Sequence, residues 1–301
     1  MTLNTPAAEP TFTSGVLLAS TPRSNGAGPN PPATARKLKS RFGMAVQDIA
    51  DSFKLWRLAT RLGWLDVRLQ FSGSTLGPFW LTLTTAIMVA AMGMIYSQLF
   101  HLALKDYLPY LSISMILWQN GLSSLVQESC STFTRAADSI RSVTMPYTVQ
   151  ALRTTIRCSL VLGYTVIVPL VVFILFGLWP GSVVLLALPA VALWLFNSMA
   201  WCLLLGTVCA RFRDVPPIVG SILQILFYVT PIIWEPKQLK DGAWWLYLNP
   251  FYSLFEIVRR PFLGQVPTGT AWAIALGFSA TLGVIAFVSF ARSRSRLAFW
   301  V

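Results

Sequence analysis

Residues 158–179 read CSLVLGYTVIVPLVVFILFGLW, and after Pro180 and Gly181 the chain resumes as SVVLLALPAVALWLFNSMAWCLLLGTVCA over 182–210. Neither stretch holds an Asp, Glu, Lys, Arg or His. Runs of this length match the ~20 helical residues needed to cross a bilayer core of about 30 Å. Four further runs share the property, at 76–100, 107–127, 215–234 and 270–291. Backbone in lipid must close its own hydrogen bonds, and the alternating pattern of a barrel is absent. The expectation is an all-α integral membrane protein with six transmembrane helices.

Composition points the same way. Of 301 residues, 55% are hydrophobic and 11% charged, against about 25% charged in soluble domains. The net charge of +12 does not mark a nucleic-acid partner, because the bases gather in short clusters between apolar runs and no RNA-binding or zinc-finger signature accompanies them. Those clusters orient the chain. With the amino terminus in the cytoplasm, the outer side holds five bases, Lys105, Lys237, Lys240, Arg259 and Arg260, and the inner side holds the rest. The positive-inside rule then puts both termini in the cytoplasm.

Besides the amino-terminal tail, three segments are not spans. Residues 1–45, rich in Pro, Gly, Ser and Thr, read as a disordered cytoplasmic tail. Residues 46–75 read as an amphipathic interface helix. Within 51–70, Leu55, Leu58, Leu62, Leu65 and Leu69 recur at helical spacing beside Lys54, Arg57, Arg61 and Arg68, with Trp56 and Trp64 as interfacial anchors. The remaining 76–301 form the permease body. In it, 129–157 is long for an inner connection and carries a polar section, 134–141, able to form a short helix ending before Pro146. The outer segment 235–268 is aromatic but broken at Asn249-Pro250. It suits a re-entrant helical hairpin in the outer leaflet.

The chemistry is mostly subtractive. No Gly-Lys pair occurs, so there is no phosphate-binding P-loop, and neither GxSxG nor HExxH is present. A single histidine, His101, rules out a two-histidine metal site. Cys130, Cys158, Cys202 and Cys209 lack CxxC spacing and read as packing residues, so no metal is expected. The expected spans carry no ionisable group on which an ion-coupled transporter or an embedded acid–base catalyst would run. What they carry is aromatic: Trp80, Tyr96, Trp118, Tyr164, Trp194, Trp201, Phe227 and Tyr228. Such rings suit the apolar faces of sliding sugars, and they equally suit the interfacial belt.

A family resemblance rests on ordered motifs. Leu76-Gly77-Pro78-Phe79-Trp80 opens the first run, followed by Asp106-Tyr107-Leu108-Pro109-Tyr110-Leu111. Then come 210–219 (ARFRDVPPIV), Thr230-Pro231-Ile232-Ile233-Trp234, Leu248-Asn249-Pro250-Phe251-Tyr252 and Arg296-Leu297-Ala298-Phe299-Trp300. From about Trp56 onward the chain resembles the type-2 permeases of ATP-binding-cassette exporters, most of all those exporting O-antigen and related polysaccharides.

The resemblance implies a second copy of the chain, a twelve-helix channel, and two separate ATPase subunits that bind the ATP and Mg. This chain itself would be a transport subunit of the bacterial cytoplasmic (inner) membrane, with no bound cofactor and no catalytic residue. Its coupling helix would use Arg135, Ala136, Asp138, Ile140, Arg141, Met145 and Pro146. An outer gate would use Trp244, Trp245, Tyr247, Phe251 and Tyr252. The cargo would be a lipid-linked glycan whose pyrophosphate meets Arg57, Arg61 and Arg68. Gln70, Ser72 and Gly73 stand where the family usually carries further bases. Two other readings stay open: a drug or lipid exporter of the same fold, and a membrane-embedded transferase.

Overall fold

The computed structural model describes residues 41–143, 145–238 and 244–301. Most of the expected tail therefore lies outside the described residues, as does the side chain of Trp244. Among the described residues every regular element is helical, as the apolar runs required.

The first helix, α1 (Arg41–Lys54), begins before the expected end of the tail and meets α2 (Trp56–Gln70) at Leu55. The stretch expected as one interface helix is thus two. The face that α2 packs on the protein is Ala59, Gly63 and Val67, not the leucines. A Cβ at Gly63 would come 3.1 Å from the Arg153 carbonyl, so a small residue sets how closely α2 approaches its neighbour. Leu55, Leu58, Leu65 and Leu69 remain exposed, and with them Trp56 and Trp64. That is the arrangement of a helix lying on lipid.

Four helical stretches are long and apolar enough to cross a membrane: Phe79–Leu99, Thr148–Phe176, Gly181–Arg211 and Gly269–Trp300. They correspond to α3 (Phe79–Leu99), to α7 (Thr148–Thr165) continued by α8 (Ile167–Phe176), to a 3-10 turn leading into α9 (Ala187–Arg211), and to α12 (Gly269–Trp300). Gly177 ends α8 in the left-handed conformation at φ 65°, which costs glycine least.

The other two expected spans differ. The 107–127 run sits in a rod over 104–130, built of α4 (Leu104–Ile116), π-helical Leu117–Ser123 and α5 (Ser124–Cys130). This rod exceeds about 35 Å at 1.5 Å per residue, but Ser112, Ser114, Gln119 and Asn120 dilute its apolar character. The 215–234 run gives only α10 (Val215–Val229), 15 residues long, or roughly 22 Å. It starts where Pro216 and Pro217 can occupy the first turn, and it stops at Thr230-Pro231. Length and composition thus pick out four candidate crossings among the described residues, and the other two expected runs are not among them.

Two short helices complete the order. The helix α6 (Ala137–Ser142) lies between α5 and α7, and α11 (Pro250–Phe262) precedes α12. Asn249 caps α11 by accepting from Phe251 N at 3.0 Å. Within the expected outer hairpin, whose residues 239–243 lie outside the described residues, a 3-10 turn at Trp244–Leu248 leads into α11.

Helix contacts in lipid depend on small residues and buried hydrogen bonds. α9 and α12 pack where Gly283 faces Phe196 and where Asn197 Nδ2 donates to Ser279 Oγ at 2.8 Å. All four cysteines are buried free thiols. On α9, a Cβ at Gly206 would stand 2.9 Å from the fully buried Phe133 ring. Gly206→Ala is therefore expected to lower stability by about 1–3 kcal/mol through overpacking. Gly163→Ala, with open space around it, should be neutral. Thermal unfolding of the two variants in detergent checks this, and equal midpoints would refute it.

Candidate functional site

At one end of the bundle, three carboxylates tie neighbouring elements to α7. Asp48 on α1 is buried. Its Oδ2 accepts from Thr148 N at 3.1 Å, at the first turn of α7, where a carboxylate is favoured. Its Oδ1 accepts from Arg294 Nη2 of α12 at 2.8 Å. Asp66 on α2 accepts two guanidinium bonds from Arg153, the shape-matched fork geometry. Glu128 at the end of the 104–130 rod accepts from both Arg157 of α7 and Arg135. Asp66, Glu128, Arg135, Arg153 and Arg157 together line a cavity of about 540 Å³.

The expected coupling residues hang from this cluster. α6 buries none of its residues. Asp138 and Arg141 are exposed, Ile140, Met145 and Pro146 are half-buried, and Ala136 is buried. Arg135 is exposed yet anchored to Glu128. A polar, outward helix that follows the Arg135–Glu128 pair, and whose Arg141 Nη2 donates to the Val301 carbonyl at 2.9 Å, can receive a partner without disturbing the core. Arg57, Arg61 and Arg68 are exposed along α2, away from the 540 Å³ cavity, which uses other arginines.

The expected channel aromatics divide. Trp118 and Trp194 are buried around Phe255, with ring centroids at 6.0 and 5.7 Å, and Phe227 closes on Trp118 at 5.9 Å. These rings fill the core of this chain. Trp80 and Tyr228 are exposed, and Tyr96, Tyr164 and Trp201 are half-buried.

At the opposite end, the break after α10 is held by side chains. Tyr107 Oη donates to the Ile233 carbonyl at 2.6 Å. Tyr110 Oη lies 2.8 Å from the Pro231 carbonyl and 3.1 Å from that of Trp234. Arg259 Nη1 donates to Ser114 Oγ at 2.9 Å and to the Pro231 carbonyl at 3.0 Å, and its guanidinium lies 4.1 Å from the Tyr110 ring centroid. Asn249 Nδ2 donates to Thr230 Oγ1 at 2.9 Å.

Arg259, counted above among the outer-side bases, is 4% exposed, because the carbonyls of a broken helix need donors that lipid lacks. Glu256 beside it is fully buried. Arg260 Nη2 approaches its Oε1 to 2.7 Å, although neither carboxylate oxygen has an aligned hydrogen bond among the described residues. Burial also pushes the nearby Glu235 carboxyl up, against the pull of Lys237 and Arg259. Of the expected gate residues, Tyr252 is buried against Tyr247, Phe251 packs on Phe278, and Trp245 is exposed beside Trp234. The clue to this clamp was Glu256, Arg259 and Arg260 inside an aromatic segment, charges unsuited to a plain surface loop.

The model of the ABC-2 type transporter family matches residues 58–263. The chain belongs to that family. It is 24% identical over 206 residues to the O-antigen export system permease protein RfbA of Myxococcus xanthus, covering 65% of this chain and 76% of that one. It is 21% identical over 200 residues to the protein of the same name from Klebsiella pneumoniae, covering 66% and 77%. As an ABC-2 permease it is a multi-pass membrane transport component, and membership implies partnership with an ATP-binding cassette subunit.

Arg259→Ala removes the donor shared by Ser114 and Pro231. A loss of about 1–3 kcal/mol is expected, with Arg259→Lys recovering part of it. Thermal unfolding and protease cleavage at 231–250 read the effect; an unchanged midpoint and cleavage rate for Arg259→Ala would discard the clamp.

Proposed function

We propose that this chain is the membrane subunit of an ATP-driven exporter that moves a lipid-linked polysaccharide across the bacterial cytoplasmic membrane. The observation that carries this reading is the shared name of the matched relatives, O-antigen export permeases, over most of their length. The 104–130 rod and α10 would serve as the two further crossings, giving six, with both termini cytoplasmic.

Two copies would pair. α10 supports this, since only Leu223 of its 15 residues is buried in the single chain, leaving a helix that needs further cover. The coupling residues from Arg135 to Pro146, centred on the outward α6, would seat on a separate ATPase subunit that holds the ATP and Mg. Arg57, Arg61 and Arg68, exposed on α2 at the membrane surface, would meet the pyrophosphate of the carrier. Trp245, Tyr247, Phe251 and Tyr252, with Trp244, would close the outer mouth above the Arg259 clamp.

A second reading, export of a lipid or apolar drug, draws on one observation. A cavity of about 750 Å³ among Phe53, Ile156, Phe196, Met199 and Phe287 is almost wholly apolar. The two readings separate in cells lacking the chain. Accumulation of a lipid-linked polymer on the cytoplasmic side is expected, and its restoration to the surface on re-expression. Unchanged surface polymer would overturn the glycan reading. The chain purified alone is expected to hydrolyse no ATP, and measurable turnover would contradict a separate motor.

A further inference from the structure

The 104–130 rod is enclosed by protein on almost every side. From Pro109 to Val126 the only positions not buried are Gln119, Ser123 and Ser124, and the opening continues to exposed Gln127. Every side chain in this opening is an uncharged hydroxyl or amide. Gln127 Nε2 donates to Ser123 Oγ at 3.3 Å, so the stripe runs up one face. The neighbouring α10 also exposes two such side chains, Ser221 and Gln224, at helical spacing, among exposed Ile218, Ile222 and Ile225.

The two helices are in register. Trp118 and Phe227 pack at 5.9 Å between centroids. At 1.5 Å per residue, Gln119 stands roughly 17 Å above the foot of α5, and Gln224 roughly 14 Å above the foot of α10. Both amides therefore sit near the middle of a core about 30 Å thick. Neither makes a hydrogen bond to another described residue, whereas the adjacent Asn120 is buried and donates to Thr85 Oγ1 at 3.4 Å.

A free amide at that depth cannot face lipid without a large desolvation cost. The foot of the stripe supplies an opening for water: Gln127 and Pro216 line one cavity of about 600 Å³, at the end where α6 projects. We propose that Gln119, Ser123 and Gln127, with Ser221 and Gln224, line a water-filled path between two copies of the chain and hydrogen-bond a polyhydroxylated cargo along it. This rests on the exporter reading above and adds where the cargo passes. Amides and hydroxyls both donate and accept, as sugar hydroxyls do. Lacking charge, they exchange partners without trapping a passing unit.

The test uses the complete transport system in membrane vesicles, with Cys130, Cys158, Cys202 and Cys209 replaced by Ser. Gln119→Cys and Gln224→Cys should react with a charged, membrane-impermeant thiosulfonate about tenfold or more faster than Ile87→Cys or Ile174→Cys, which are exposed on apolar faces. Rates equal to those controls would place the stripe in lipid and overturn the path. Self-crosslinking between copies without reagent access would mean a dry interface and overturn it equally. If the serine background does not fold, the same labelling in the native background serves, with the rate of the parent chain subtracted, since Cys130 and Cys209 line the 600 Å³ cavity. The double variant Gln119→Leu, Gln224→Leu should cut polymer export by about tenfold, the effect of losing roughly 1.4 kcal/mol of cargo contact. Rapid labelling with undiminished polymer export would keep the aqueous path and overturn its part in carrying the glycan. Rapid labelling in a system that exports no polymer at all would instead count against the exporter reading.

Discussion

Where α10 stops, the carbonyls of Pro231, Ile233 and Trp234 would meet a medium that offers no donor. Tyr107, Tyr110 and Arg259 supply donors instead. Much of this end of the bundle follows from that need. The 104–130 rod must present Tyr107, Tyr110 and Ser114 on one side. α11 must be buried so that Arg259 can reach Ser114. Trp118, Trp194 and Phe255 then fill the space beneath. An unsatisfied buried carbonyl costs about 1–3 kcal/mol, and two or three of them would rival the whole stability of a domain of ordinary size, about 5–15 kcal/mol.

The other end is organised by charge. Asp48, Asp66 and Glu128 each hold a different element to α7, so that α1, α2, α12 and the 104–130 rod share one anchor. Partly buried, hydrogen-bonded pairs of this kind matter more than an exposed pair such as Lys54–Asp51, worth at most about 1 kcal/mol. The arrangement leaves α6 outside the core but mechanically attached to it through Arg135. The carboxylate of Glu128 joins Arg135, just before α6, to Arg157 of α7.

Between these ends the rod carries the polar stripe from Gln119 to Gln127 beside an α10 that is barely buried. The π-helical turn at Leu117–Ser123 contains Gln119. A π turn shifts the side chains after it around the axis, and here the shift falls where Asn120 turns inward to Thr85 while Gln119 stays outward. One local change of pitch thus separates a structural amide from a free one.

The all-helical class, the position of the long spans and the outward α6 were legible in the sequence, because a charge-free run of twenty residues has few other solutions in lipid. Asn249-Pro250 marked the break before α11 for a local reason of the same kind. Pairings across the chain were not legible. Nothing in the spacing links Asp48 to Arg294 or Arg259 to Ser114, and the leucine stripe of α2 pointed away from the face, Ala59, Gly63 and Val67, that packs. Periodicity records which side of a helix is apolar; in a membrane both lipid and protein satisfy an apolar side. Only the tertiary structure decides which of the two covers it, through close approach at small residues and through the hydrogen bonds that lipid cannot make.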